Sequence, residues 1–376
     1  MIEPRILKPG SVRGGGEFRS AVLQAIGETP GNQALALRFL DTSVAATRLV
    51  IGRNQQSEAL AQLLRLDGLI DDYGEHADGW HGIPVMASVD VPSDAIVVNC
   101  STSISPVAVF QHLEGLGIQS IVNINELTHA AQGRLEWPWF VRQQRQDYGL
   151  HARVWEKLYG RLADDESQQT LLDVLRYRLT GNIRYLWNYS IRLKDQYFED
   201  FMTLTAETFV DAGGFDGDTT EEFCRRYPDY RKVYVFEPSE TNLRAARRRL
   251  QGLRDIEFLA LGLSDKPGEL YFNAEAGSAS SVSTSGSHVI KVTSLDGAVS
   301  DPVTFIKMDL EGWEMKALAG CRSHITVSKP KLAVSVYHSA CDFRDVPDYL
   351  LALNPDYKVY LRHYTQGWSE SVMFFR

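Results

Sequence analysis

The segment TFVDAGGFDGDTTEEF at residues 208–223 limits the fold of this chain more than any other feature. Its apolar start is typical of a buried strand that ends at Asp211, and small residues, Gly213 and Gly214 among them, lead into a helical stretch. Small residues at a strand-to-helix turn let the backbone come close to a ligand at the carboxyl end of a parallel sheet. The segment therefore predicts an α/β unit with a ligand site above this strand.

The charges of this turn indicate which ligand suits it. A dinucleotide site favours the spacing GxGxxG, with a pyrophosphate at the N-terminus of the helix. The turn instead carries Asp211, Asp216 and Asp218. Their carboxylates would repel a pyrophosphate but attract a ligand with an ammonium and a sulfonium group. The pattern disfavours an NAD-dependent enzyme, which stays an alternative.

A further acid ends the next predicted strand. VYVFEPS at residues 233–239 reads as a strand that closes with Glu237 and Pro238. In nucleotide-binding βαβ units an acid about 20 residues beyond the glycine-rich turn accepts hydrogen bonds from the ribose hydroxyls. Glu237 fits that role, and the plainer alternative is a solvated carboxylate in an α/β turn that binds no nucleotide.

Two later strands also end in titratable residues. TFIKMDLEGWEMKAL at residues 304–318 delivers Asp309 and Glu311, and KLAVSVYH at residues 331–338 ends in His338. Because strand ends in doubly wound sheets face the ligand crevice, we expect these three side chains to converge. The alternatives are acids that stabilise a helix N-terminus, a hydrogen-bonded histidine, and a metal set of two acids and an imidazole.

The length of the chain and the order of its predicted elements indicate two domains. At 376 residues it exceeds the size at which one hydrophobic core usually stops growing. Strands alternate with helices in an earlier and a later segment, which predicts two α/β units with parallel sheets. The expected organisation is an N-terminal segment (1–47), a Rossmann-like α/β domain (48–136), a helical connector (137–200) and the larger domain (201–376).

The earlier α/β domain carries a weaker signal. Its first turn has one glycine, Gly52, where a dinucleotide site would have three, and Asp71 and Asp72 follow. Residues 53–55 and 101–103 offer hydrogen-bond donors. The segment loosely resembles the N-terminal Rossmann-like domains of some sugar-modifying enzymes, including acetyltransferases of nucleotide sugars. It predicts a domain that holds the nucleotide or carrier end of an acceptor or mediates assembly, or else a Rossmann-like unit without a ligand.

Several motifs, taken in order, resemble the FkbM family of methyltransferases. They are VDAGGFDGDT, VFEP, IKMDLEGWE and the terminal YLRHYTQGWSESVMFF, preceded by the similar lead-in YFEDFMTLTAETFVDAG. The resemblance covers about residues 195–376. It implies a seven-stranded Rossmann-like class I methyltransferase sheet, S-adenosylmethionine as cofactor, and O-methylation of a sugar, glycan or secondary-metabolite hydroxyl. The cofactor-binding residues that it implies are Tyr197, Asp211, Gly213, Gly214, Asp216, Glu237, Pro238, Ser264, Asp265 and Asp309.

One departure from the family pattern bears on catalysis. The strand ending in SVYH has Ser335 where the family pattern has a Glu shortly before the His, so Asp309 or Glu311 has to supply that acid. A sugar hydroxyl needs a general base, or a metal that lowers its pKa, before it attacks. We predict His338 or Asp309 as the base and Glu311 as its partner or a metal ligand. A divalent metal is left open, and no metal site is predicted.

The composition of the chain limits the classes of partner that we expect it to bind. The net charge of -9 and the lack of interleaved basic and aromatic stretches disfavour nucleic acid. No apolar stretch approaches the about 20 residues that span a bilayer, no signal-peptide pattern is present, and scattered cysteines suit a reducing compartment. We expect a cytoplasmic bacterial enzyme for a small molecule or glycan, with no membrane partner and with a homo-oligomer left open. A cofactor-bound scaffold without catalysis is a further alternative.

A Gly/Ser-rich stretch, residues 277–287, interrupts the later domain. Small polar residues suit either a mobile lid that orders over a bound cofactor or the tip of a hairpin.

Overall fold

The structure, a computed structural model, describes residues 14–74, 79–272, 282–283 and 288–376. Within these residues the chain forms two compact units. The first unit comprises the chain up to Gly160 together with Gln168–Ile191 and His363–Ser369. The second unit comprises Arg161–Ser167, Arg192–Arg362 and Glu370–Arg376. The domain boundaries expected from the sequence stay a prediction.

The first unit is built on a five-stranded sheet. Its strands are β1 (Arg48–Ile51), β2 (Gly68–Ile70), β3 (Val85–Met86), β4 (Ile96–Asn99) and β5 (Ile121–Asn123). They pair in parallel in the order β3-β2-β1-β4-β5. The helices are α1 (Gly15–Gly27), α2 (Gln33–Leu40), α3 (Gln55–Leu63), α4 (Pro106–Gly115), α5 (Ile124–Ala130), α6 (Trp139–Arg161) and α7 (Asp165–Thr180), the last of which contributes residues to both units.

Local sequence explains where these elements begin. Asn54 caps α3, because its side chain accepts hydrogen bonds from the backbone N–H groups of Gln56 (3.0 Å) and Ser57 (3.2 Å). Helix α4 starts with Pro106. A backbone N–H at this first helical position would have no intrahelical acceptor, so proline, which lacks the N–H, breaks no hydrogen bond there. Strand β4 is buried along its whole length, as expected for a parallel strand covered on both faces.

The second unit contains two sheets. Its strands are β6 (Thr208–Ala212), β7 (Lys232–Phe236), β8 (Ile256–Leu259), β9 (Gly262–Leu263), β10 (Gly268–Phe272), β11 (Val282–Ser283), β12 (His288–Thr293), β13 (Phe305–Met308), β14 (Lys331–Ser335), β15 (Val359–His363) and β16 (Ser371–Phe375). Its further helices are α8 (Asp218–Arg226), α9 (Glu240–Arg249), α10 (Leu295–Ala298), α11 (Glu314–Ala319) and α12 (Asp342–Leu353), with a π-helical turn at His324–Ser328.

The larger sheet of the second unit has seven strands in the order β15-β16-β14-β13-β6-β7-β8. Strands β14, β13, β6, β7 and β8 run parallel, and β16 is antiparallel to β14. From β6 the chain proceeds to β7 on one side, and β13 later joins the other side. The strand order therefore reverses at β6, which is where ligands bind in open α/β sheets.

Aromatic side chains fill the layer between this sheet and α8. Phe209 and Phe305 stack with ring centroids 4.9 Å apart, and Phe223 lies 4.3 Å from Phe209. All three are fully buried, so each removes on the order of 150–250 Å² from water. This packing fixes β6 and β13 beside one another and so fixes the loops at their ends.

The fold class expected from the sequence is confirmed, including the seven-stranded sheet. The smaller sheet, in the order β11-β10-β12-β9, was not expected. Apart from β11, most of the Gly/Ser-rich stretch 277–287 lies outside the described residues. Among the residues that the structure describes, no helix combines the length and apolarity needed to cross a membrane.

Candidate active site

The turn after β6 is shaped by two glycines. A Cβ added to Gly213, whose φ is +81°, would lie 2.0 Å from the backbone oxygen of Asp309. One added to Gly214 would lie 2.4 Å from Cγ1 of Val235. The backbone N–H groups of both glycines donate to the carbonyl of Phe236 at 3.0 Å. The turn therefore sits tightly against β7 and β13, and glycine is required at both positions.

Asp211 lies beneath this turn and is neutralised by the chain itself. Its carboxylate is fully buried, 3.1 Å from Nζ of Lys307, which is 3% exposed. Thr220 donates its hydroxyl to the other carboxylate oxygen at 2.7 Å, and Lys307 also donates to the carbonyl of Gly213 at 2.8 Å. Burial lowers the pKa of Lys307, but the charges of Asp211 and Asp309 outweigh it and raise that pKa. The arrangement gives Asp211 a role in holding the glycine turn from below.

Glu237 lies at the end of β7, beside the turn. Its Oε2 accepts a hydrogen bond from the N–H of Phe215 at 3.0 Å, and its Oε1 accepts one from the N–H of Ser239 at 2.8 Å. Burial raises the pKa of this carboxyl group, although both backbone donors oppose the shift. A carboxylate has about four lone-pair sites, so Glu237 is oriented by these donors and can still accept hydroxyl hydrogens.

These elements border a cavity of about 990 Å³ in the second unit. Gly213, Glu237 and Pro238 line one part of it, and Asp309 and Glu311 line another. The remaining wall includes apolar side chains from the smaller sheet and the aromatic rings of the turn regions, namely Leu263, Leu270, Ile290, Val292, Phe215, Tyr197 and Trp313. The cavity thus joins an acid suited to ribose, an apolar wall and a second acidic end.

Asp309 at the end of β13 is held by two tyrosines. The hydroxyl of Tyr197 donates to its Oδ2 at 2.7 Å, and the hydroxyl of Tyr337 lies 3.4 Å from the same oxygen. Tyr197 also lies 3.3 Å from the hydroxyl of Ser335. Burial and the charge of Asp309 raise the pKa of both phenols above the usual range, so they stay neutral donors. Asp309 is therefore a fixed carboxylate at the cavity wall.

His338 joins Asp309 and Glu311, as the sequence predicts for these strand ends. Its Nε2 lies 3.4 Å from Oδ1 of Asp309 and 3.4 Å from Oε2 of Glu311, and its Nδ1 lies 3.1 Å from Oε1 of Glu314. Burial lowers the pKa of His338, but the surrounding carboxylates outweigh burial and raise it well above 6.5. These carboxylates therefore favour the protonated form of His338, which disfavours His338 as the predicted base.

Sequence reasoning missed Glu370, which also lines the cavity. Its Oε2 accepts a hydrogen bond from the side chain of Gln196 at 2.6 Å. Burial and the charge of Asp309 raise the pKa of this carboxyl group to about 7. The only sequence signal is that Glu370 belongs to the terminal motif QGWSES. Glu370 lies at the acidic end of the cavity. It supplies a carboxylate there, whereas the strand that ends in SVYH has Ser335 in place of an acid.

Glu314 and Lys307 were missed as well, since each reads as an ordinary residue of a helix or strand. Glu314 is fully buried, although it lies in the first turn of α11. Its Oε1 accepts the N–H of Leu310 at 2.7 Å. The sequence signal for Glu314 is the spacing DLEGWE, which brings a third acid to the same helix start.

Four residues that line the cavity adopt left-handed backbone conformations without being glycine. The φ angles are +74° for Tyr197, +44° for Phe215, +53° for Glu311 and +65° for Glu370. Each such residue costs on the order of 1–2 kcal/mol relative to an ordinary conformation. Their concentration around one cavity supports its assignment as the functional site.

Five of the predicted cofactor residues lie outside the lining of this cavity, namely Asp211 and Gly214, described above, and Asp216, Ser264 and Asp265. Asp216 forms an ion pair with Arg249 at 2.5 Å. Ser264 is buried and accepts a hydrogen bond from the indole N–H of Trp313 at 3.2 Å. Asp265 accepts a hydrogen bond from the Ser264 hydroxyl at 3.1 Å. Ser264 thus contacts the cavity indirectly, through a side chain that does line it.

Candidate binding residues of the first unit satisfy one another. Asp71 pairs with Arg53 at 2.8 Å, and the side-chain N–H of Asn54 donates to the carbonyl of Cys100 at 2.7 Å. The segment 363–369 of the same unit lies against residues 102–108. There Trp368 donates its N–H to the carbonyl of Thr102 at 3.0 Å, and the amide oxygen of Gln366 accepts the N–H of Ala108 at 2.9 Å. The chain itself therefore occupies the N-terminus of α4.

The strand order of the second unit and its acid-lined cavity at β6 define a class I methyltransferase fold. Comparison with known proteins shows which family this part of the chain resembles. Residues 211–359 match the family model described as the methyltransferase FkbM domain. This segment of the chain is therefore similar to the FkbM family of methyltransferases.

A solved methyltransferase structure is similar to this chain over nearly its whole length. Methyltransferase FkbM from Methylobacillus flagellatus has a TM-score of 0.72 and 25% identity, over 96% of this chain and 98% of that one. An rRNA methylase from Streptococcus thermophilus (TM-score 0.30, 17% identity) covers 47% of this chain and 91% of its own. Fibrillarin from Aeropyrum pernix, solved with natively bound S-adenosyl-L-methionine, has a TM-score of 0.31 and 9% identity and covers 49% and 71%. A search of curated protein sequences found no match.

Proposed function

We propose that this chain is an S-adenosylmethionine-dependent O-methyltransferase that acts on a hydroxyl of a sugar, glycan or other small molecule. The observation that carries the proposal is the cavity of about 990 Å³, in which Glu237 lies at one part and Asp309, Glu311 and Glu370 at another. The similarity to the FkbM family supports methyl transfer. The nature of the acceptor rests on the acidic end of the cavity.

The residues of this cavity fit the cofactor by their chemistry. Glu237 presents two oriented carboxylate oxygens, which suit the two hydroxyls of a ribose. The turn at Gly213 and Gly214 leaves backbone close to the cavity without a side chain in between. Leu263 and Ile290 offer apolar surface of the kind that an adenine ring needs. S-adenosylmethionine, when bound, supplies an electrophilic methyl group.

The acidic end of the cavity provides for the proton that an attacking hydroxyl must lose. Glu370 serves in the proposal as the acceptor of that proton, because it lines the cavity and its pKa of about 7 suits a base near neutral pH. Asp309, fixed by Tyr197, orients the hydroxyl. Trp313 and Phe215 line the same cavity and limit the access of water.

Calorimetric titration with S-adenosylhomocysteine tests the cofactor assignment, with NAD as a parallel ligand. Glu237→Gln is expected to weaken binding of S-adenosylhomocysteine at least about tenfold, since hydrogen bonds to a charged group contribute about 1.5–3 kcal/mol each. Glu240→Gln, an exposed acid at the start of α9, is the matched control and should bind normally. Binding of NAD without binding of S-adenosylhomocysteine would overturn the proposal.

The acceptor class needs a second measurement. Transfer of a labelled methyl group from S-adenosylmethionine to a panel of sugars and glycans is followed, and product NMR shows whether a methoxy group forms. Glu370→Gln is expected to lower kcat while binding of S-adenosylhomocysteine is unchanged. Methylation at nitrogen or carbon in place of oxygen would contradict the O-methyl assignment but leave the cofactor assignment standing.

A further inference from the structure

Negative charge exceeds positive charge around His338. Three carboxylates, those of Asp309, Glu311 and Glu314, lie within 3.4 Å of its ring nitrogens. These residues come from two separate parts of the second unit, the segment after β13 and the end of β14. A single imidazole can neutralise at most one of the three charges, so the cluster as it stands has a surplus of negative charge.

The ligand atoms of this cluster are close enough to share one ion. One donor atom each from Asp309, Glu314 and His338 lies within 4.8 Å of the other two. Two donors that each lie about 2.0–2.2 Å from one divalent ion are at most about 4.4 Å apart, so only a small side-chain movement would bring all three donors onto one ion. Asp309 and Glu311 line the cavity, so the side of the cluster that faces His338 Nε2 opens towards the bound reactants.

Hydrogen bonding in the cluster is incomplete, and this is an observation independent of its charge. The side chain of His338 is 9% exposed, and carboxylate oxygens lie 3.1–3.4 Å from its ring nitrogens, yet among the described residues neither nitrogen makes a hydrogen bond of normal geometry. Within the same part of the chain, Oε2 of the fully buried Glu314 has no hydrogen-bond partner either. Buried polar atoms in folded proteins are almost always satisfied. Buried nitrogen and oxygen atoms left without hydrogen bonds in one cluster of surplus negative charge are what a shared cation would satisfy.

We propose that this cluster is a divalent metal site, in which Asp309 and His338 bind the ion and Glu314 either binds it or holds the imidazole from its opposite side. Carboxylate oxygen with one imidazole nitrogen suits Mg²⁺ or Mn²⁺. A carboxylate behind a metal-bound histidine is a common device for fixing the ring. Glu311, half-exposed at 3.4 Å from Nε2, completes the site on the cavity side.

The chemical role of the ion rests on the proposed function, although the site itself does not. An ion at the acidic end of the cavity lowers the pKa of an acceptor hydroxyl that binds to it. The hydroxyl proton leaves to Glu370, the oxygen then forms the new bond to the methyl group, and the bond from that methyl group to sulfur breaks. Atoms and charges balance without a further reactant.

Mn²⁺ is the probe, because electron paramagnetic resonance reports both its binding and its ligands. Wild-type protein with Mn²⁺ is expected to bind one ion and to show nitrogen modulation from a coordinated imidazole. Asp309→Asn and His338→Gln should weaken Mn²⁺ at least about tenfold, and His338→Gln should also abolish the nitrogen modulation. Asp218→Asn, an exposed acid that lines the same cavity, is the matched control and should bind Mn²⁺ as wild type does.

Thermal unfolding followed by circular dichroism shows that each variant is folded, and calorimetry with S-adenosylhomocysteine is run on the wild type in parallel. Equal affinity for Mn²⁺ in all four proteins, or bound Mn²⁺ without nitrogen modulation, would overturn the metal site. If S-adenosylhomocysteine still binds in that case, the methyltransferase proposal is untouched. If the wild type binds Mn²⁺ through His338 but does not bind S-adenosylhomocysteine, the proposed function is wrong and the metal site stands.

Discussion

The ion pair between Lys307 and Asp211 allows a quantitative prediction. Lys307→Met keeps most of the aliphatic volume but removes the charge, leaving a fully buried carboxylate without its cation. Removing one partner of a buried pair costs about 3–5 kcal/mol, because the other charge stays desolvated. The variant also loses the hydrogen bond from Lys307 to the carbonyl of Gly213, which contributes about 1 kcal/mol. We therefore expect a loss of roughly 4–6 kcal/mol in the local stability of β6.

Hydrogen exchange followed by mass spectrometry measures this loss where it occurs, since the chain has two compact units and one global unfolding transition is not assured. Peptides that cover β6 and β13 should exchange faster in Lys307→Met. Asp211→Asn combined with Lys307→Met removes both charges and should recover about half of the loss. Lys232→Met, which breaks a surface ion pair with Glu257, should change exchange by less than about 1 kcal/mol.

Two results would refute this reasoning. If Lys307→Met alters the exchange of β6 by less than about 1 kcal/mol, the pair is not a buried charge interaction of the strength assigned to it. If the double variant is no more stable than Lys307→Met, the loss comes from packing of the lysine stem and not from the uncompensated charge of Asp211.

Further predictions concern the glycine turn and the stability in acid. Gly214→Ala places its Cβ 2.4 Å from Val235. It should lower stability by about 1–3 kcal/mol and weaken the binding of S-adenosylhomocysteine in calorimetry. Adding Val235→Ala should restore much of both, and the absence of any recovery would contradict a steric clash as the cause. Burial and the charge of Arg178 lower the pKa of His363 to about 3, so the unfolded chain takes up a proton below about pH 6.5 that the folded chain refuses. This group alone should lower the free energy of unfolding by about 2 kcal/mol between pH 7 and 5. In urea unfolding, this part of the pH dependence should be absent from His363→Gln and present in the His151→Gln control.

The fold of the second unit could be predicted because its strands have strong local signals. The segment TFVDAGG predicts β6 and its turn, and the segment VYVFEP predicts β7. The structure has both strands. Strands β10 and β12 escaped prediction. They pair antiparallel across an intervening stretch of sequence that is rich in Gly and Ser, and that stretch carries little strand propensity to indicate the pairing.

The candidate site was predictable in part for the same reason. Asp309, Glu311 and His338 each end a strand or follow one, so parallel order alone brings them together. Glu370 and Glu314 were not predictable, because one lies before the antiparallel strand β16 and the other inside a helix start. Asp211 reads as a ligand contact in the sequence, whereas its neutralisation by Lys307 depends on the register between β6 and β13, which no local pattern encodes.

The left-handed backbones of Tyr197, Phe215 and Glu311 have a consequence for anyone who engineers this enzyme. A screen for heat resistance will favour glycine at these positions, because glycine adopts positive φ without strain. Phe215→Gly or Glu311→Gly would then raise the melting temperature while removing a ring or a carboxylate from the cavity. Selection on thermal tolerance alone would thus lead towards robust but inactive protein, so turnover has to be scored in every round.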